Sequence, residues 1–99
     1  MKEDSVRSVE RAFHILKAFT RDDYKLTLSE IAERIGLPVT TTLRLAGTLE
    51  RLALLIRHDD RTYSLGSQLY ILGSIARANF RPQQIIYPYM KIIRDSTRE

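Results

Sequence analysis

The sequence predicts a mainly α-helical fold with one small β-hairpin, on three observations. Residues 26–52 read as two short helices separated by the turn Gly36-Leu37-Pro38. An amphipathic helix precedes them, with Val9, Ala12, Phe13, Leu16 and Phe19 at helical spacing. After Leu52 two strand-like runs, 54–57 and 62–65, flank a polar four-residue turn, 58–61. Three helices followed by a hairpin is the winged helix-turn-helix arrangement, and a further helical stretch extends beyond it.

Ser5 or Ser8 is expected to cap the first helix. His14 lies off the centre of its apolar stripe and has no second ligand at metal spacing, so it reads as a surface residue. The segment 21–25 is polar and turn-like. Its paired Asp22 and Asp23 lack an apolar wall that would raise one pKa, which makes them a solvated loop rather than a catalytic dyad.

The second helix starts at Thr27. Glu30 stands three residues on, so hydroxyl and carboxylate can each satisfy the other's backbone amide, with Leu26 and Ile31 as a hydrophobic staple. Ile31, Ala32 and Ile35 fall on one face, and Gly36 supplies the left-handed residue that stops a helix. Small Ala32 gives a site where the next helix can approach closely. Pro38, with its fixed φ and missing N–H, suits the first turn of that helix.

The third helix runs from about Pro38 to Leu52. Thr42, Leu45, Leu49 and Leu52 make its buried stripe, while Thr40, Arg44, Gly47 and Arg51 lie opposite, with Leu43 and Thr48 at the margins. Threonines and an arginine at the exposed start of such a helix suit a major-groove reader, because Arg forks onto guanine and Thr meets phosphate or a thymine methyl. The alternative is an ordinary solvated face. On the hairpin, Arg57, His58 and Arg61 are candidate backbone or minor-groove contacts, unless Asp59 and Asp60 simply neutralise the tip.

At 99 residues the chain can bury one core of ordinary size. With 43% hydrophobic and 28% charged residues it has the balance of a soluble globular protein. It has neither an apolar run near the roughly 18 residues of a membrane span nor the apolar centre of a signal peptide at its start, so a cytoplasmic location is expected. Zero cysteines exclude disulfides and thiolate metal sites. The net charge of +4 points only weakly to nucleic acid, because most of the excess lies in 66–99. Local order is more informative: no acid occurs between Glu33 and Glu50, so Arg34 and Arg44 stand unopposed.

The residues also carry a family resemblance. S-V-x-R-A at Ser8 to Ala12, offset by one residue, then L-T-L-S-E-I-A-E-R-I-G-L-P, T-T-x-x-R-L-x-x-T-L from Thr40, and Y-S-L-G from Tyr63 are similar to the DNA-binding domain of IclR-type transcriptional regulators. The resemblance covers about residues 5–95. It implies that Thr40, Thr41 and Arg44 lie at the start of the recognition helix and approach DNA. Departures are Val39, where the family often has a basic residue; Leu43, where it has a polar or aromatic one; Ala46, where it has Leu; and Ala53, where it has Gly. Val39 and Leu43 weaken the electrostatic case and hint at apolar contact with thymine methyls. Gly47 costs about 0.5–1 kcal/mol relative to alanine in mid-helix, a cost that close backbone approach to DNA or drift at a tolerant site would explain.

Beyond Gly66 a helix is expected with Leu69, Leu72, Ile75 and Ala76 on one face and Asn79 at its end. A second apolar pattern follows in Ile85, Ile86, Tyr89, Ile92 and Ile93, with Pro88 kinking or restarting it. The expected organisation is a winged helix-turn-helix domain over 1–66, then linker and dimerisation helices over 67–99. By the resemblance, these lead to an effector-binding domain absent from the chain.

The leading expectation is thus a sequence-specific module of a bacterial- or archaeal-type regulator, binding double-stranded DNA as a homodimer through its C-terminal helices. Arg44 would contact a base, Thr40 and Thr41 phosphate or a thymine methyl, Thr48 and Arg51 the backbone, and Arg57 and Arg61 the DNA beside the wing. The rival is a winged helix used only for protein association. No cofactor or metal is expected, and no catalytic reading stands, since there is no Cys, no paired His motif and no glycine-rich phosphate loop.

Overall fold

The computed structural model describes residues 5–80. Its central segment is set by Thr27, whose hydroxyl accepts from the Glu30 amide at 3.2 Å while the Glu30 carboxylate accepts from the Thr27 amide at 2.8 Å. Two otherwise orphaned amides are satisfied at once, and α2 (Leu28–Ile35) begins there. Leu26 and Ile31, the expected staple, are both buried. Gly36 ends α2 at φ 71, a left-handed conformation that lets its amide and that of Leu37 both reach the Ala32 carbonyl, at 2.9 and 3.1 Å. Pro38 then serves as N-cap of α3 (Val39–Arg51), one position outside the helix rather than within its first turn.

The buried arc of α3 differs in part from the expected one. Thr42, Ala46 and Leu49 are buried and Leu45 half-buried, whereas Leu52 is 56% exposed at the C-cap. Small Ala46 is fully buried in the core, a place that a hydrophobicity wheel underweights in favour of leucines. The buried Thr42 hydroxyl donates to the Pro38 carbonyl at 2.9 Å, so its burial leaves no unmet polar group.

In α1 (Arg7–Lys17) the N-cap is Val6, without a side-chain cap, rather than Ser5 or Ser8; the Ser5 hydroxyl donates instead to the Glu10 carboxylate. The stripe is also rotated from expectation. Ile15 is fully buried, with Ala12, Leu16 and Phe19 around it, while Val9 and Phe13 are exposed. Apolar residues cover about half of this helix's circumference, so periodicity alone cannot choose which part turns inward. Phe19 lies past the helix end yet is buried.

A hairpin alone was expected, but the sheet has three strands. β1 (Leu26–Thr27), β2 (Leu55–Arg57) and β3 (Thr62–Leu65) form an antiparallel sheet in the order β1-β3-β2. Leu26 faces Tyr63 and Thr27 faces Thr62, while Arg57 faces Tyr63 across the hairpin. A two-residue strand is too short to show alternation and exists because β3 offers it a partner edge. Leu26, Leu55 and Tyr63 complete one core with Ile15, Phe19, Ile31, Ala46 and Leu49.

At the hairpin tip the His58 amide donates to the Thr62 carbonyl (2.8 Å) and the Arg61 amide to the His58 carbonyl (3.0 Å). This closure puts Arg61 at φ 69. Asp60 Oδ1 accepts from the Thr62 hydroxyl at 2.6 Å and its amide at 3.1 Å, and Asp60 Oδ2 from Lys25 Nζ at 3.2 Å. The Thr62 bonds, with Lys25 adding to them, hold the Asp60 carboxyl down at about 2.

α3 leaves through a Schellman closure, in which the Leu54 amide donates to the Leu49 carbonyl (2.9 Å) and the Ala53 amide to that of Glu50 (3.0 Å). Ala53 therefore sits at φ 60, where glycine is the unstrained choice. Its carbonyl packs directly on buried Gly66, where a Cβ would come within 2.3 Å of the Ala53 oxygen. α4 (Ser67–Asn79) follows, with Asn79 as its last residue as expected. The chain divides into two units, Met1–Leu69 and Tyr70–Glu99. The second apolar pattern, Ile85 to Ile93, lies outside the described residues.

Three outcomes follow for unfolding and titration experiments. Gly66→Ala should cost about 3 kcal/mol in urea unfolding, since the obstruction is backbone and cannot swing away. Ala53→Gly should instead stabilise by about 0.5–1 kcal/mol: relief of about 1–2 kcal/mol of left-handed strain exceeds the gain in unfolded-chain freedom. Because the folded Asp60 pKa is depressed, its contribution is present above 3.8 and fades as pH falls towards 2. Carboxyl titration by NMR should show that midpoint near 2, and Thr62→Val should move it up towards 3.8.

Candidate nucleic-acid interface

The start of α3 is shaped by what Pro38 lacks. Its side chain cannot cap, so the first amides of α3, which have no carbonyl one turn earlier in the helix to donate to, are left without a side-chain cap as well. Such an end favours an anion, and the first turn of α3 carries no acid.

Five of the sequence-selected residues lie on this helix. Thr40 and Arg44 are exposed one turn apart, Thr41 is half-buried, and Thr48 and Arg51 are exposed further along. The Thr48 hydroxyl donates to the Arg44 carbonyl (3.3 Å) and accepts from the Arg51 guanidinium (3.3 Å), which steadies the far end of the row. Among the described residues no ion pair engages Arg44. Arg34 differs from the expectation that it stands unopposed. Its guanidinium meets the Asp23 carboxylate at 2.9 Å and the Ala18 carbonyl at 3.0 Å, a tie from α2 to the loop after α1 that its sequence neighbours could not show.

Arg57 ends β2 and Arg61 occupies the hairpin tip, both exposed. His58 is half-buried with Nε2 2.8 Å from the Ser64 hydroxyl, so one ring nitrogen is already engaged. Lys25, which the sequence did not single out, changes the balance of the tip: it joins Arg57 and Arg61 against Asp59 and Asp60. Only the pairing of β1 with β3 brings it there.

Val39 and Leu43, the apolar departures on this helix, are 46% and 50% exposed. Beyond them Gly47 has open space where a Cβ would stand. A cleft open to solvent is lined by Phe19, Tyr24 and Leu65 among others. No helix among the described residues is long and apolar enough to cross a membrane, and no group of three metal-ligating side chains occurs among them.

Comparison with known proteins agrees with this geometry. The IclR helix-turn-helix domain matches residues 8–59. An IclR family transcriptional regulator from Brucella abortus is 30% identical with a TM-score of 0.76, the alignment covering 97% of this chain and 38% of that one. An IclR transcriptional regulator from Alicyclobacillus acidocaldarius is 42% identical over 73% of this chain and 30% of its own, TM-score 0.70. An IclR homolog from Microbacterium hydrocarbonoxydans, solved in complex with 4-hydroxybenzoate, is 29% identical over 93% of this chain and 38% of its own, TM-score 0.66. The chain thus spans well under half the length of these structures. No curated protein matches it in sequence. With the domain match covering more than half of the residues and the same turn, helix and wing in place, the chain belongs to the IclR family of helix-turn-helix transcriptional regulators.

Proposed function

We propose that the chain binds double-stranded DNA sequence-specifically and does so as a homodimer on a pseudo-palindromic operator. The observation that carries this reading is the exposure of Thr40 and Arg44, one turn apart, at the uncapped and acid-free start of α3. In the groove, Arg44 would fork onto a guanine, with Thr40 and Thr41 on phosphate or a thymine methyl. Thr48 and Arg51 would contact the backbone, and Arg57 and Arg61 the DNA beside the wing. Two copies would present their helices to successive major grooves, half-site centres about 34–36 Å apart.

The dimer is assigned to residues 67–99. Tyr70, Ile71, Leu72 and Ile75 of α4 are all exposed, an apolar surface that a second copy would cover. An effector, of the small-molecule kind that the Microbacterium hydrocarbonoxydans homolog was crystallised with, would act through a domain outside these residues. A cytoplasmic setting belongs to the same reading.

Binding by Arg44→Ala and Arg61→Ala tests the assignment. The first should lose about 1–3 kcal/mol of discrimination between operator and random DNA; the second should weaken all sequences alike and flatten the salt slope by about one unit. Unchanged specificity in Arg44→Ala would show that the wrong face has been chosen. A second reading, protein association without DNA, is favoured by the exposed apolar side chains of α4. Salt separates the two, because DNA affinity decays log-linearly with salt whereas an apolar interface barely responds.

A further inference from the structure

We propose that Val39 and Leu43 are specificity-determining residues that read thymine through its C5 methyl group. The inference rests on the DNA-binding reading above and goes beyond its arginine and threonine contacts. Four residues apart, Val39 and Leu43 stand one above the other on α3, half-exposed, beside Thr40 and Arg44. The next position along their row is Gly47, where nothing lies within 4 Å of a Cβ, so the row falls away and lets a partner approach the backbone. Exposed Glu50 lies on the same edge nearly two turns beyond Leu43, which confines the apolar contact to the first half of the helix.

The surroundings say what covers this ridge. An apolar protein partner would want an apolar surround, but the ridge is bordered by Thr40 and Arg44 and begins at uncapped amides that favour an anion. A surface with a cation beside it, no acid in its first turn and one narrow apolar row suits a major groove, where phosphates line the walls and the thymine methyl is the apolar group among the base edges. A basic residue at Val39 or a polar one at Leu43 would forgo that contact.

The test uses the full chain and binding sites selected from random DNA, in which each thymine is replaced in turn by deoxyuridine. The replacement deletes the methyl and leaves pairing intact. At one or two adjacent positions per half-site, affinity should fall about fourfold per methyl, the equivalent of ~0.8 kcal/mol for one buried carbon. Leu43→Ala, an exposed truncation that favours the helix, should bind the thymine and uracil versions of one position equally; Val39→Ala should do so for the other. Selected sites whose affinity changes by less than about twofold at every uracil overturn the inference and leave sequence-specific binding standing. So does methyl sensitivity that persists in both variants. Failure to select any site overturns the DNA-binding reading and this inference with it.

Discussion

One dipeptide, Leu26-Thr27, couples the two halves of the DNA-binding unit. Thr27 closes the capping box that starts α2, and Leu26 staples that helix to the core through Ile31. The same two residues are β1, paired with Tyr63 and Thr62 of the hairpin. The helix-turn-helix and the wing are therefore held by opposite sides of one short segment. Because Thr27 both closes the cap and stands opposite Thr62 in the sheet, its backbone conformation positions the entrance of α2 and the edge of β3 together.

From that segment outward, charge is spent on structure before any is left for a partner. Lys25 and Thr62 hold Asp60, and Arg34 is tied to Asp23 and Ala18. Exposed pairs of this kind contribute little stability, but they decide which cations remain unpaired at the surface. Arg44 keeps its charge for the face of α3 that is open, so a helix in an electrically neutral stretch of sequence still presents a cation where its N-terminus already favours anions. Net charge is a poor guide here because position, not total, sets the local field.

Two backbone positions show how closely the wing is fitted to the helices. The Schellman closure after α3 forces Ala53 into a left-handed conformation, and its carbonyl then lies against Gly66. Departing from glycine at the first position costs strain that the surrounding hydrogen bonds absorb. No such departure is tolerated at Gly66, where the neighbour is main chain and cannot move aside.

Local signals were enough for the capping box at Thr27, the stop at Gly36, the restart after Pro38 and the hairpin, because each depends on residues within four positions of one another. The family, too, was legible in the runs around Thr27, Thr40 and Tyr63. The inward side of α1, the burial of Ala46 in place of Leu52, the third strand, the Arg34–Asp23 tie and the arrival of Lys25 at Asp60 were not. Each joins residues distant in the chain, or chooses between two apolar arcs that periodicity rates alike. Sequence by itself determined the succession of helices and hairpin and the ends set by Thr27, Gly36 and Asn79, since caps and turns are short-range chemistry. Only tertiary packing decided which faces are hidden and which charges remain available, since those depend on what the rest of the chain brings alongside.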